Sequence, residues 1–161
     1  GNLIGEAELE EHLAKQGYTI FHPEKHNLTA QIETYKAARH IIAAEGSALH
    51  LLALVAQADQ EVAIIVRRPS SATDQLETHL KSFAGIQPLM LSQLTRSWKP
   101  TGPAKSRLWM GELDMPAVQK DLADAGFISK SKTKWTSLDR EEVSTRLGKK
   151  FEEVVSPVPA E

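Results

Sequence analysis

The sequence predicts an α/β fold: a Rossmann-like parallel sheet with helices on both faces. Three observations carry that expectation. Short β-type runs alternate with helical periods through the first ninety or so positions, giving the order α-β-α-β-α-β-α-β. Glu61-Val62-Ala63-Ile64-Ile65-Val66 is almost wholly apolar, as a parallel strand covered on both faces requires. Arg39 to Gln57, RHIIAAEGSALHLLALVAQ, joins a β-type run to a densely apolar helix through a glycine elbow.

Glu6 to Gln16 places Leu9 and Leu13 at helical spacing, with Gly17 as the stop. Strands are expected near 18–22, 39–43, 61–66 and 87–91, in one parallel sheet with 39–43 central. The first of these closes at His22-Pro23-Glu24, where proline ends the ladder. Leu28, Ile32 and Tyr35 share one face of a helix that Asn27 can cap. In the elbow Glu45-Gly46-Ser47, Gly46 can take positive φ or let a ligand approach, and Ser47 can cap the helix. Ala48, Leu49, Leu51, Leu52, Leu54 and Val55 make that helix a core element. After the Arg67–Ser71 loop, Asp74 to Phe83 carries Leu76, Leu80 and Phe83, and Gly85 ends it.

Past Gln93 the pattern changes. Trp98-Lys99-Pro100-Thr101-Gly102-Pro103 is turn-rich, and Leu113 to Ala125 is a capped helix ending at Gly126. The basic run Ser129 to Lys134 fits a solvated loop better than a phosphate contact. Leu138 to Val155 is expected as one last helix, with Val143, Leu147, Phe151 and Val154 as its stripe, before a frayed tail holding Pro157 and Pro159. Residues 1–128 are expected to form the Rossmann-like domain, with 129–161 a carboxy-terminal helix and tail packing on it.

Composition narrows function. A chain of 161 residues with 41% apolar content can bury one good core. A net charge of −2, with no aromatic residues interleaved among its basic clusters, argues against nucleic acid as a partner. The chain has no cysteine, which excludes disulfides, thiolate zinc sites and cysteine nucleophiles; this suits a reducing compartment, and a cytoplasmic location is expected. No apolar stretch reaches transmembrane length. Gly1 in place of methionine, followed at once by a helical pattern, predicts an excised piece of a longer protein. Six histidines include no pair at helical i, i+4 spacing with an acidic partner on the same face, since His22 and His26 flank a proline turn, so no metal is expected. Ser47 lacks the flanking glycines of a nucleophile elbow, which weakens a hydrolase reading, and no G-x-G-x-x-G or Walker pattern supports nicotinamide or nucleoside triphosphate binding. Unpaired amides at a strand-to-helix elbow can hold phosphate, and a plain tight turn explains the same three residues.

The run Gly17-Tyr-Thr-Ile-Phe-His-Pro-Glu24, then Leu28-Thr29-Ala30-Gln31-Ile32, Tyr35-Lys-Ala-Ala38 and Ile41-Ile42-Ala-Ala-Glu-Gly46-Ser-Ala-Leu49 resembles glycosyltransferase family 61 over about residues 6 to 66. The family includes capsular polysaccharide biosynthesis proteins of bacteria. The resemblance implies the carboxy-terminal, nucleotide-sugar-binding half of a two-domain GT-B transferase, inactive alone. The glycan acceptor would bind through an amino-terminal half outside this chain. The nucleotide sugar is a substrate, and no cofactor is implied. By position, Gly46, Ser47 and Ala48 would present amides to the donor diphosphate, His22 to Glu24 would lie near the nucleoside, and Gln31 would brace that loop. Glu45 stands where many members have histidine, and a carboxylate beside a diphosphate is repulsive. Either Glu45 points away, or His50 one turn on supplies the cation, or the donor site has changed. The rival reading is a non-catalytic interaction or scaffold domain that has lost the ligand.

Overall fold

The computed structural model describes residues 2–68 and 70–154. The chain divides into two units. One comprises Gly1–Thr19, Arg67–Pro69 and Ser92–Glu161; the other comprises Ile20–Val66 and Ser70–Leu91.

The second unit holds the parallel sheet. Its strands β2 (His40–Ala44), β3 (Glu61–Ile65) and β4 (Leu89–Leu91) lie in the order β2-β3-β4, all parallel. Ile41, Ala43, Val62, Ile64 and Met90 share one face of it. They pack with Tyr35 of α2 (Leu28–Ala37), Leu49, Leu52 and Ala53 of α3 (Ala48–Val55), and Leu76 of α4 (Ser71–His79). The opposite face of β3 is buried as well, since Ala63 and Ile65 are hardly exposed. That double burial explains the apolar run and makes β3 the central strand, not the 39–43 strand. All five β2 residues are only half-buried. Asn27 caps α2 by accepting from the Ala30 amide, and Ser70 caps α4 by accepting from Ala72.

No strand forms at 18–22. The Tyr18 amide donates to Leu13 O as part of the helix stop, and Tyr18 Oη donates to Phe127 O at 2.6 Å within the first unit. Phe21 instead stacks on His26 and meets Tyr35 edge-on within the second. The segment's aromatics serve two cores, and its backbone joins no ladder. The helix expected through Phe83 changes character at Leu80–Ala84, a π-type turn that leaves Phe83 exposed before Gly85 (φ 68°) stops it.

In the first unit, β1 (Leu3–Ile4), β5 (Leu94–Pro100), β6 (Met110–Leu113) and β7 (Phe151–Glu153) form a mixed sheet in the order β1-β6-β5-β7. β1 runs parallel to β6, while β5 runs antiparallel to both β6 and β7. Three helices accompany it: α1 (Glu6–Lys15), α5 (Met115–Asp124) and α6 (Arg140–Leu147). Leu9 and Leu13 of α1 are buried, and Asp114 caps α5 by accepting from Ala117. The turn-rich reading of Trp98 to Pro103 is corrected, because Trp98 to Pro100 end the seven-residue strand β5. The last helix is likewise shorter than expected. Gly148 adopts φ 60° and ψ −161°, so the chain leaves α6 there and Phe151 enters β7. Residues 129–134 form an exposed loop, as expected. Val155, Pro157 and Pro159 lie outside the described residues, as does Pro69.

Candidate functional site

Parallel pairing brings the carboxyl ends of the second unit's strands to one edge. The register sets Ala44 beside Ile65 and Ile65 beside Leu91. The Glu45 amide donates to Ile65 O at 2.9 Å, and the Val66 amide to Leu91 O at 2.8 Å, so the sheet is zipped up to the point where the chain turns into α3. The elbow therefore stands on a fixed base.

At the elbow, Leu49 and His50 donate to the carbonyls of Gly46 and Ser47 at 3.2 and 3.1 Å. Those bonds open α3. The amides of Gly46, Ser47 and Ala48 precede them, and among the described residues none donates to another backbone group. Three N–H groups at the positive end of a helix dipole, at the carboxyl edge of a parallel sheet, can receive an anion. Gly46 does not achieve this through a positive φ, as its backbone lies outside that region. A Cβ placed on Gly46 would meet only Ala44 O at 3.8 Å, an ordinary contact. Ser47 gives α3 no side-chain cap, for its φ and ψ of −63° and −26° are already helical and a cap needs extended backbone.

Glu45 is 5% exposed, so its carboxylate is held inside the protein. His50 is exposed, and its Nδ1 lies 3.3 Å from Nδ1 of His79 on α4. The histidine pairing was invisible in the sequence, where 29 positions separate the two residues. Only the packing of α3 on α4 brings them together.

A second cluster surrounds the short 3-10 turn Pro23–Lys25. Gln31 Nε2 donates to Pro23 O and to His26 O, both at 2.9 Å, and so ties the turn to α2. The resemblance implied this brace for Gln31. His22 Nδ1 lies 3.9 Å from Glu24 Oε1 on the same turn. Their expected place at a strand's carboxyl end is corrected, since no strand forms at 18–22. Among the described residues no group of three or more His, Cys, Asp or Glu could hold a metal, and no helix is long and apolar enough to cross a membrane.

No curated protein and no solved structure matches the chain. Residues 1–64, which run through α1, the Gln31-braced turn, β2, the elbow, α3 and most of β3, match the family model described as Glycosyltransferase 61. Residues 1–64 are thus similar to glycosyltransferase 61 proteins, and the match supports a glycosyltransferase-type function.

Proposed function

We propose that this chain binds the nucleotide-sugar donor of a bacterial glycosyltransferase of capsular or exopolysaccharide biosynthesis, acting in the cytoplasm. The observation that supports it is the elbow. Amides of Gly46, Ser47 and Ala48 open α3 at the carboxyl edge of a parallel sheet, where a diphosphate gains both hydrogen bonds and the helix dipole. Recognition through backbone N–H groups needs no particular side chain at Ser47 or Ala48. In this reading the turn carrying His22 and Glu24, braced by Gln31, faces the nucleoside, and His50 stands beside the phosphates. The acceptor and the catalytic base belong to the other half of a GT-B transferase, so the 161-residue chain transfers no sugar by itself.

Nucleoside-diphosphate titration by calorimetry tests the elbow. Gly46→Val is the decisive variant, because φ is not positive and a Cβ finds room, so the fold is retained while the added methyls crowd the approach to the amides. Binding should weaken at least about tenfold, and Ser47→Ala should lose no more than about 1 kcal/mol. A Gly46→Val protein that binds like the parent, or a parent that binds no nucleoside diphosphate at low salt, would leave the scaffold reading in its place.

A further inference from the structure

His50 and His79 come from different helices, and each is held by a buried neighbour in sequence. Leu49 is 2% exposed and Leu80 is fully buried, so the backbone at both histidines is fixed by the core beneath. The two rings nonetheless lie at the surface, centroids 5.3 Å apart and tilted 55°, with the Nδ1 atoms 3.3 Å from each other. Phe83 lies against His79 at 5.6 Å and limits the swing of its ring.

That nitrogen separation has a chemical meaning. Two imidazole nitrogens bound to one tetrahedral zinc ion at about 2.0–2.1 Å stand about 3.3–3.4 Å apart. A hydrogen bond between the rings would need one Nδ1 to carry the proton, and at an exposed position water competes with it. A metal needs both Nδ1 atoms free of protons, an arrangement met when each ring is protonated at Nε2.

We propose that His50 and His79 form a two-histidine clip for a divalent transition-metal ion, with zinc as the ion of matching geometry. Imidazole suits zinc, copper and nickel and disfavours magnesium and calcium. With no third His, Cys, Asp or Glu gathered there among the described residues, the ion keeps its remaining positions for water or an external anion. The site is therefore open.

Zinc titration of the whole chain at pH 7.5 in a non-coordinating buffer tests the clip. One ion per chain should bind, moving the Nδ1 resonances of His50 and His79 in a ¹⁵N imidazole spectrum. His50→Gln and His79→Gln should each weaken binding by more than about tenfold, since losing a ligand costs at least what losing its outer-shell partner does. Circular dichroism melts of both variants should match the parent, which separates lost ligation from lost folding. The proposal fails if the double variant binds zinc as the parent does, if the parent gives no saturable binding, or if the resonances that move belong to other histidines.

Discussion

A Cβ at Gly111 would run into the carbonyl group of Arg67 and into Leu94 Cδ2 at 2.9 Å. The glycine is required by close approach of backbone, not by φ, and the obstacle includes main chain that cannot swing aside. Gly111→Ala should therefore cost about 1–3 kcal/mol, read as a lowered urea midpoint at unchanged m-value. Beside it, Glu112 is 1% exposed and accepts from Arg96 at 2.7 Å and from Trp98 Nε1 at 3.0 Å. Nothing in the residue order foretold either environment, because a glycine in a strand and a glutamate among apolar neighbours look ordinary until the partner strand is placed. At the elbow the reverse holds in part. Gly46-Ser47-Ala48 was recognisable as a strand-to-helix junction, whereas the burial of Glu45 and the missing Ser47 cap depend on dihedral angles that residue types do not determine.

Elements whose caps and periods agree were legible. Asn27, Ser70 and Asp114 each accept from an amide in the first turn of the helix they precede, and Gly17, Gly85 and Gly126 take positive φ near the ends of helical segments. β5 was hidden because Arg96 sits on its inward side, neutralised by Glu112, and so broke the apolar alternation. The α6–β7 boundary was hidden for the opposite reason: Val143, Leu147, Phe151 and Val154 keep helical spacing straight across Gly148. Helix-to-helix contact adds a pH dependence that the sequence also conceals. Arg146 of α6 donates to both oxygens of Glu8 on α1, at 2.5 and 3.2 Å, and this bond holds the Glu8 carboxyl below the usual range. A depressed carboxylate pKa contributes stability above the unfolded-state value and loses it as pH falls through the folded-state value. For a largely solvent-screened pair the effect is about 0.5–1 kcal/mol. Glu8→Gln should thus lower the midpoint at pH 7 and converge on the parent below the carboxylate range, as denaturant melts across pH will show.

Over the whole molecule, the family match and the folding units do not coincide. Residues 1–64 take in β1, whose partner β6 spans Met110–Leu113, and β2, which relies on a β3 strand ending at Ile65 and flanked by β4. The recognisable stretch is therefore a signature and not a self-sufficient body. A peptide of residues 1–64 should show no cooperative thermal transition by circular dichroism, while the full chain should. A cooperative melt from the peptide would mean that β4 and β6 are dispensable.

The pairing of Leu3 and Ile4 with Gly111 and Glu112 also orders events in time. During synthesis, Ile20–Val66 and Ser70–Leu91 emerge before the strand that β1 must join, so the parallel sheet can close while the chain's first residues still wait for a partner more than a hundred positions downstream. Contacts of such sequence separation carry a high loop-closure cost and form late. The joining of β1 to β6 is accordingly the last pairing expected in the mixed sheet, after the local antiparallel pairing of β5 with β6.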